Sequence, residues 1–401
     1  MSSRRKWITA MAVCLFVTGL VGPASAQHGR WQELTDKVVS LRQQGNYAEA
    51  VLLAQEALRV AEASAEPDHP DVAASLNNLA ELYQSQGKFA EAEPLYKRSL
   101  AIVERKRGPD HPDVATCLSN LGDLYHAEGR YAEAEPLLKR ALAISEKTLG
   151  PDDPDVAMSL NNLAGLYSTQ GRYAEAEPLD RRALAIFEKA RGPNHPEVAM
   201  SLNNLGSLFS AQGRYAEAEP LYRRSLAIRE KTLGPEHPDV ASSLNNLAEI
   251  YRFEGKYAEA ESLYMRAVAI AEKSPGPQHP DFATNLNNLA ELYRDEGKYA
   301  EAEPLYKRSL AIAERALGPD HPDVAGSLHN LASLYLAEGR YAEAEPLFKR
   351  SLAIEEKVLG PDHPSVAAIL ENYAAVLRQL HRIGEAEKLE ARARVIRSKR
   401  P

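Results

Sequence analysis

Pairs of asparagines recur every 42 residues, in stretches that are otherwise rich in leucine. The pairs are Asn77–Asn78, Asn161–Asn162, Asn203–Asn204, Asn245–Asn246 and Asn287–Asn288, while Asn120 and Asn330 keep only the second amide. A carboxamide offers both a hydrogen-bond donor and an acceptor, as a peptide group does. A regular row of such side chains therefore predicts noncovalent recognition of an extended polypeptide backbone.

A structural role for the same amides stays open at this stage. The second asparagine of each pair can either face a ligand or bond to the adjacent repeat and fix the stacking angle. For the first asparagine the ligand role is favoured, because Ser119, His329 and Glu371 replace it without loss of the surrounding pattern.

Histidines also recur once per repeat, and they raise the question of a metal site. They are His69, His111, His195, His237, His279, His321 and His363. Helices of neighbouring repeats pack about 8–10 Å apart, whereas zinc needs nitrogens at about 2 Å. The histidines are therefore predicted to cap helices and pack loops. No phosphate-binding glycine loop, nucleophile elbow or metalloprotease motif occurs, so the sequence predicts no catalytic residue, no cofactor and no metal site.

The elements that carry these residues follow from the same period. Glycine recurs at 45, 87, 129, 171, 213, 255, 297 and 339, each time two residues before an aromatic. A period of this length indicates a solenoid of stacked helical hairpins. The segment "GPDHPDVA" ends one helix with glycine and begins the next with proline. The pattern predicts a first helix over about 71–86 and a second over about 89–106, repeated along the chain.

Helical periodicity then gives each face of these helices a role. At ~100° per residue, Leu76, Leu79 and Tyr83 share one face of the first helix, which is predicted to pack. Asn77 and Asn78 lie on roughly the opposite face. In the second helix, Glu and Lys or Arg lie four residues apart, and such pairs are expected only to steady the helix and keep it soluble.

The motifs "NLAELY", "G.Y.EAE.LY..SL" and "LGPDHPDVA" together resemble the tetratricopeptide repeat, and in particular the 42-residue repeats of kinesin light chain and its bacterial relatives. The resemblance covers about residues 29–397. It implies an all-α, right-handed superhelical solenoid of helix-turn-helix repeats whose first helices line a concave groove. By position, it also implies groove roles for the recurring asparagines.

The N-terminus is typical of an export signal. Arg4, Arg5 and Lys6 precede an apolar run, and Ala24–Ser25–Ala26 supplies the small residues of a cleavage site before Gln27. General secretion and the twin-arginine route both stay open. Cleavage removes three positive charges and takes the net charge from −8 to −11, which argues against nucleic acid as a partner. The mature chain is expected to be soluble, with no membrane insertion, in the periplasm or outside the cell.

The sequence thus predicts a signal peptide over 1–26, a degenerate capping hairpin over 27–67, tandem repeats over 68–381, and a C-terminal helix with a basic tail over 382–401. The favoured function is a non-catalytic scaffold that binds a protein or peptide partner in the groove and is a monomer without it. The alternative is a self-associating structural spacer with no peptide ligand. No residue of the sequence supports an enzymatic function.

Overall fold

Eighteen helices form nine consecutive hairpins in the part of the chain that the computed structural model describes, residues 23–64 and 68–398. The helices are α1 (Pro23–Gln43), α2 (Tyr47–Ser64), α3 (Pro70–Ser85), α4 (Phe89–Arg107), α5 (Pro112–Ala127), α6 (Tyr131–Leu149), α7 (Pro154–Thr169), α8 (Tyr173–Arg191), α9 (Pro196–Ala211), α10 (Tyr215–Leu233), α11 (Pro238–Phe253), α12 (Tyr257–Lys273), α13 (Pro280–Asp295), α14 (Tyr299–Leu317), α15 (Pro322–Ala337), α16 (Tyr341–Leu359), α17 (Pro364–Gln379) and α18 (Ile383–Ser398). Each odd-numbered helix is the first of its hairpin and each even-numbered helix is the second. The all-α repeat architecture predicted from the sequence is confirmed, and the predicted helix bounds agree to within one residue.

Each connection between hairpins ends at a His-Pro corner, a capping histidine (Asp153 in one case) followed by the proline that begins the next first helix, and six of the connections start at a glycine that ends a second helix. At residues 108–112, Gly108 has φ 91° and the Nδ1 of His111 accepts a hydrogen bond from the backbone N–H of Asp113. Asp153 makes the same bond in the corner that lacks histidine. Pro112 stands at the first helical position, where a missing N–H costs nothing. The predicted capping role of these histidines is confirmed.

The two helices of a hairpin are joined by an interhelix turn centred on the recurring glycine. Gly87, for example, has φ 69°, and its N–H bonds to the carbonyl of Gln84. A left-handed conformation of this kind is open to glycine at little steric cost. His381 occupies the equivalent position of the last hairpin with φ 62°, a conformation that is strained for a residue with a Cβ atom.

The core runs along the solenoid as a continuous seam of small and aliphatic side chains. Leu76 and Ala80 of α3 are fully buried, as the helical face predicted. The recurring tyrosines add their rings to this seam, and the hydroxyl of Tyr125 donates to Glu93 of the preceding hairpin. Burial of such faces between neighbouring hairpins is what stabilises a repeat that has no core of its own.

A recurrent arginine joins several of the interhelix turns to the hairpin before them. Arg130 donates through Nη1 to Glu93 and to Glu128, at 2.8 and 2.7 Å, and its guanidinium lies 4.0 Å from the ring centroid of Tyr125. Arg172 and Arg340 repeat this arrangement with Glu135 and Glu303. The sequence indicated only the contact between each of these glutamates and the lysine four residues later, so this arrangement was not anticipated.

Distant parts of the solenoid also touch, because the chain returns onto itself between five and six repeats later. The turn at Gly45 meets the corner at His279, the turn at Gly87 meets the corner at His321, and the turn at Gly129 meets the corner at His363. We call them inter-turn contacts, because they join successive turns of the superhelix. They make the described residues a closed spiral rather than an open arc.

The two terminal segments predicted from the sequence, the signal peptide and the basic tail, fall only partly within the described residues. The predicted signal peptide lies almost wholly outside the described residues, whose first helix begins at Pro23. The last residues of the predicted basic tail, 399–401, also lie outside them. Among the described helices, none has the length and apolar character that spanning a membrane requires.

Candidate functional site

The first helices of the central hairpins line one polar cavity of about 890 Å³. Its wall is built mainly from α7, α9, α11, α13 and α15, and residues of second helices, such as Arg229 and Tyr264, complete it. We call this cavity the groove. Of the asparagines singled out from the sequence, those that line it are Asn161, Asn162, Asn203, Asn204, Asn245, Asn246, Asn287, Asn288 and Asn330, whereas Asn77, Asn78 and Asn120 do not.

Toward both ends of the solenoid, paired amides bond to each other across neighbouring repeats. Asn120 Nδ2 donates to Asn77 Oδ1 at 2.8 Å, and Asn330 Nδ2 donates to Asn287 Oδ1 at 2.9 Å. Here the second asparagine of one repeat joins the first asparagine of the repeat before it. These contacts fit the structural role that the sequence had left open.

In the central repeats the first asparagine bonds in the other direction, to the next first helix. Asn161 Nδ2 donates to Ser201 Oγ at 3.2 Å, and Asn245 Nδ2 donates to Asn285 Oδ1 at 2.6 Å. Asn161 is only 2% exposed and Asn203 only 8%. The first asparagines, for which the sequence favoured a ligand role, are therefore the more deeply engaged members of the central pairs.

The side chains of the second asparagines in these same repeats form no hydrogen bond with the described part of the chain. They are Asn162, Asn204, Asn246 and Asn288, one each from α7, α9, α11 and α13. All four line the groove and are partly exposed to it. The Nδ2 of Asn204 is itself buried without an acceptor. Four consecutive first helices thus present an unbonded amide to one cavity.

A buried cation stands in the wall beside Asn203. Arg229 of α10 is 5% exposed and donates through Nη1 to the Asp239 carbonyl at 2.9 Å and to Ser243 Oγ at 3.0 Å. The side-chain amide of Asn203 satisfies both of its polar atoms when its oxygen faces Arg229. In that orientation the oxygen accepts from Nη1 and Nη2 of Arg229 at 2.9 and 3.1 Å. Burial lowers the pKa of Arg229. Its partners are neutral oxygens, and no carboxylate of the described residues lies within ion-pair distance.

Two further arginines line the groove, and both have carboxylate partners. Arg252 bonds to Asp295 and lies 3.4 Å from Glu291, and Arg294 Nη2 lies 3.1 Å from Asp295 Oδ1. Beside them, the half-exposed Phe253 stacks on Tyr215 with ring centroids 5.5 Å apart. Arg252 and Arg294 occupy the same position of consecutive repeats, where other repeats have Ser168, Ser210 and Leu336. Phe253 has no aromatic counterpart in the neighbouring repeats, so the wall chemistry changes along the groove.

An acidic group with an altered pKa marks the N-terminal end of the groove. Burial raises the pKa of Asp123 to about 7, so near neutral pH its carboxyl group exchanges between acceptor-only and donor forms. Within the described ranges, no group of three or more His, Cys, Asp or Glu side chains is arranged to hold a metal ion. The chemistry that the groove offers is therefore hydrogen bonding and charge.

Comparison with known proteins gives this architecture a context. A family model described as tetratricopeptide repeat matches residues 35–105, 71–147, 120–189, 155–231, 199–273, 281–354 and 323–399. No curated protein matches the chain.

Solved structures add further similarities. Two, described as kinesin light chain nearly identical TPR-like repeats from Podosopora anserina, are each 32% identical, cover 51% of this chain and 97% of their own, and have TM-scores of 0.44 and 0.43. BtubC (BKLC) from P. vanneervenii is 28% identical over 59% of this chain and 92% of its own, with a TM-score of 0.45. A Rap protein complexed with Competence and Sporulation Factor is 17% identical over 94% of this chain and 98% of its own, with a TM-score of 0.60.

Proposed function

This chain belongs to the tetratricopeptide repeat family, and from that premise we propose that it is a non-catalytic scaffold that binds an extended segment of a partner protein in the groove. Kinesin light chain-like repeats are among its similar solved structures, as the sequence motifs predicted. The proposal rests on one observation above the others, the four amides that face the groove unbonded.

Geometry favours an extended polypeptide as the occupant. Neighbouring helices pack at about 8–10 Å, and an extended chain advances about 3.3 Å per residue. Successive amides on α7, α9, α11 and α13 would therefore meet about every third residue of a strand that follows the groove. Each amide can donate to one backbone carbonyl and accept from one backbone N–H, so this grip does not depend on the partner's side chains.

The energetics require several of these contacts together. A single hydrogen bond contributes only about 0.5–1.5 kcal/mol net, whereas micromolar affinity corresponds to about 8 kcal/mol. Four amides supply part of this, and side-chain contacts must supply the rest. The wall around Arg252, Arg294 and Phe253 differs from that of the earlier repeats and is the place where such selective contacts would form.

The fold has a precedent for ligand binding. The Rap protein whose structure is similar was solved in complex with Competence and Sporulation Factor. At 17% identity this likeness concerns the fold alone. It supports the idea that a solenoid of this shape can hold a partner and gives no information on which partner this chain binds.

The test uses the protein as bait in an extract of its own cell envelope. A second bait carries Asn162→Ala, Asn204→Ala and Asn246→Ala, and a control bait carries Asn77→Ala and Asn120→Ala, which lie outside the groove. We expect proteins captured by the first and third baits to be lost from the second. The bound region of such a protein, made as a synthetic peptide, should then bind the wild type at least tenfold more tightly than the triple variant in calorimetric titration.

Two results would overturn the proposal. One is capture of the same proteins by all three baits, and the other is a triple variant that melts far below the control variant, which would make the groove amides structural. Circular dichroism of each bait separates loss of binding from loss of fold.

We also propose that this binding takes place after export. The charged start, apolar run and Ala-Ser-Ala segment of the N-terminus support a cleaved signal. Expression of the full chain in a Gram-negative host, followed by cell fractionation and N-terminal sequencing, tests this. A mature N-terminus at Gln27 in the periplasmic fraction is expected, and an uncleaved cytoplasmic product would contradict it.

A further inference from the structure

Inter-turn contacts use two surface elements, an interhelix turn and a His-Pro corner. His321 Nε2 lies 3.1 Å from the carbonyl oxygen of Ser85, beside the turn at Gly87. The fit is tight, since a Cβ atom placed on Gly87 would lie 2.7 Å from Pro322 Cδ. A Cβ atom on Gly129 would likewise lie 2.5 Å from His363 Cδ2. The corner and the turn are therefore complementary surfaces.

Identical sequences occur inside and outside these contacts. The segment "GPDHPDVA" at 108–115 is the same as that at 318–325, yet the side chain of His111 is 33% exposed and that of His321 only 8%. The segment "EGRYAEAEPL" at 128–137 is the same as that at 338–347, yet Gly129 meets His363 while Gly339 has only its own Tyr341 nearby. The surroundings differ because of position along the spiral and not because of sequence.

Other copies of both surfaces make no such contact with the described residues. The exposed corners belong to the early hairpins, where His69, His195 and His237 have side chains 45%, 39% and 41% exposed. The open turns belong to the later hairpins and are those at Gly171, Gly213, Gly255, Gly297 and Gly339. The engaged turns belong to the first three hairpins and the engaged corners to the last three connections, which places the open turns toward one end of the spiral and the open corners toward the other.

We propose that the occupant of these surfaces is a second copy of the chain, stacked head to tail so that the corners of one molecule rest on the turns of the next. The contact between copies would continue the interface already formed within each molecule. Such an interface is heterologous, so it extends into an open chain of molecules unless the rotation closes a ring. This inference goes beyond groove binding, because it uses the ends of the spiral.

The association should be weak and dependent on concentration. Within one molecule the covalent chain holds corner and turn together at a high effective concentration, and that advantage is absent between molecules. A monomer at low concentration, as the sequence analysis expects, is compatible with stacking at high concentration.

Two variants with opposite defects test the proposal. The corner variant carries His111→Asp, His195→Asp and His237→Asp, which keep a helix cap because Asp153 already caps the same position. The turn variant carries Gly255→Ala, Gly297→Ala and Gly339→Ala, which add a Cβ atom where the corner would sit. Neither changes the corners that are engaged within the molecule, and circular dichroism checks that both remain folded.

Sedimentation equilibrium across a wide concentration range gives the result. We expect the wild type to associate beyond a dimer, each variant alone to remain monomeric, and an equimolar mixture of the two to stop at a heterodimer. The groove variant of Asn162, Asn204 and Asn246 should associate as the wild type does, which separates this inference from peptide binding. A wild type that remains monomeric at every concentration, or corner and turn variants that associate like it, would overturn the proposal.

Discussion

The Nε2 atom of His321 lies 3.1 Å from the carbonyl oxygen of Ser85, although 236 residues separate the two in sequence. The Nδ1 atom of the same ring accepts from the backbone N–H of Asp323. Nε2 must therefore carry the hydrogen that the carbonyl accepts, and the neutral imidazole satisfies both groups. One side chain thus caps a helix and joins two distant parts of the spiral.

Replacement of the turn glycines should measure this closure. Gly129 and Gly339 lie in identical ten-residue segments with φ 73° and 75°, so Gly→Ala imposes the same backbone strain of about 1–2 kcal/mol at both. Only at Gly129 does the new Cβ atom collide with a histidine ring. We expect Gly129→Ala to lower the free energy of unfolding by about 1–3 kcal/mol more than Gly339→Ala. Urea denaturation of dilute protein measures both, and equal losses would mean that the inter-turn contact adds no stability.

Single alanine substitutions should separate the structural amides from the groove amides. Asn120→Ala removes the bond to Asn77 and should cost about 0.5–1.5 kcal/mol relative to Asn162→Ala, which breaks no bond to the described protein. The two substitutions make the same change in helix propensity, so that term cancels in the comparison. Thermal and urea unfolding give the difference. A larger loss for Asn162→Ala would assign Asn162 to the stacking of repeats.

Acid should weaken the joints between hairpins. The hydrogen bond from Arg340, with Lys307, lowers the pKa of Glu303 to about 2, and Arg130 does the same for the pKa of Glu93. The pKa of each glutamate is lower in the folded protein than in the unfolded chain, where it is near 4.5. The contribution of these two carboxylates to the free energy of unfolding is therefore complete above pH 4.5 and is lost as the pH falls toward 2.

The corresponding measurement compares the wild type with Glu303→Gln at pH 7 and at pH 3. The wild type should be the more stable at pH 7, and its advantage should shrink at pH 3. Glu301→Gln, at an exposed position of the same helix, is the control and should show no such change. An advantage that is independent of pH would show that the Arg340 contact does not act through the charge of Glu303.

Much of the fold can be predicted from the sequence, because local chemistry determines it. Each corner has its own cap and proline, each turn except the last has its glycine, and Leu76 and Ala80 repeat at the spacing of a packed helical face. These are contacts within one hairpin or between neighbours, and the 42-residue period displays them many times.

Contacts between distant repeats cannot be predicted in this way. The meeting of Gly87 with His321 depends on a small rotation summed over every interface between them, and no residue pattern encodes that sum. The joint between Arg130 and Glu93 was missed for a related reason. Glu93 has a lysine four residues later on its own helix, and this local pair is sufficient to explain the glutamate, so the sequence gives no sign of the second contact with Arg130.

The candidate site could be predicted in outline only. The asparagine period locates the row of amides on the first helices, but pairs with the same sequence form different bonds in different repeats. Asn287 accepts from Asn330, whereas Asn161 donates to Ser201. The choice depends on which polar residue the next first helix presents, as Ser201 or Asn285 does. The ligand role of the second asparagines, which the sequence left open beside a structural one, stays a proposal, and the contacts favour it for the central repeats.

The last interhelix turn supplies a test of backbone strain. His381 has φ 62° where other hairpins have glycine, and a side chain in this region costs about 1–2 kcal/mol. Glycine would relieve that strain but lose about 0.5–1 kcal/mol through its greater freedom in the unfolded chain. We therefore expect His381→Gly to raise the free energy of unfolding by about 0.5–1 kcal/mol. The reciprocal change Gly339→His, at a turn with open space around it, should lower it by a similar amount. If His381→Gly were destabilising, the imidazole would have to make a contact worth more than the strain, and the last hairpin would then be held by that side chain rather than by its turn.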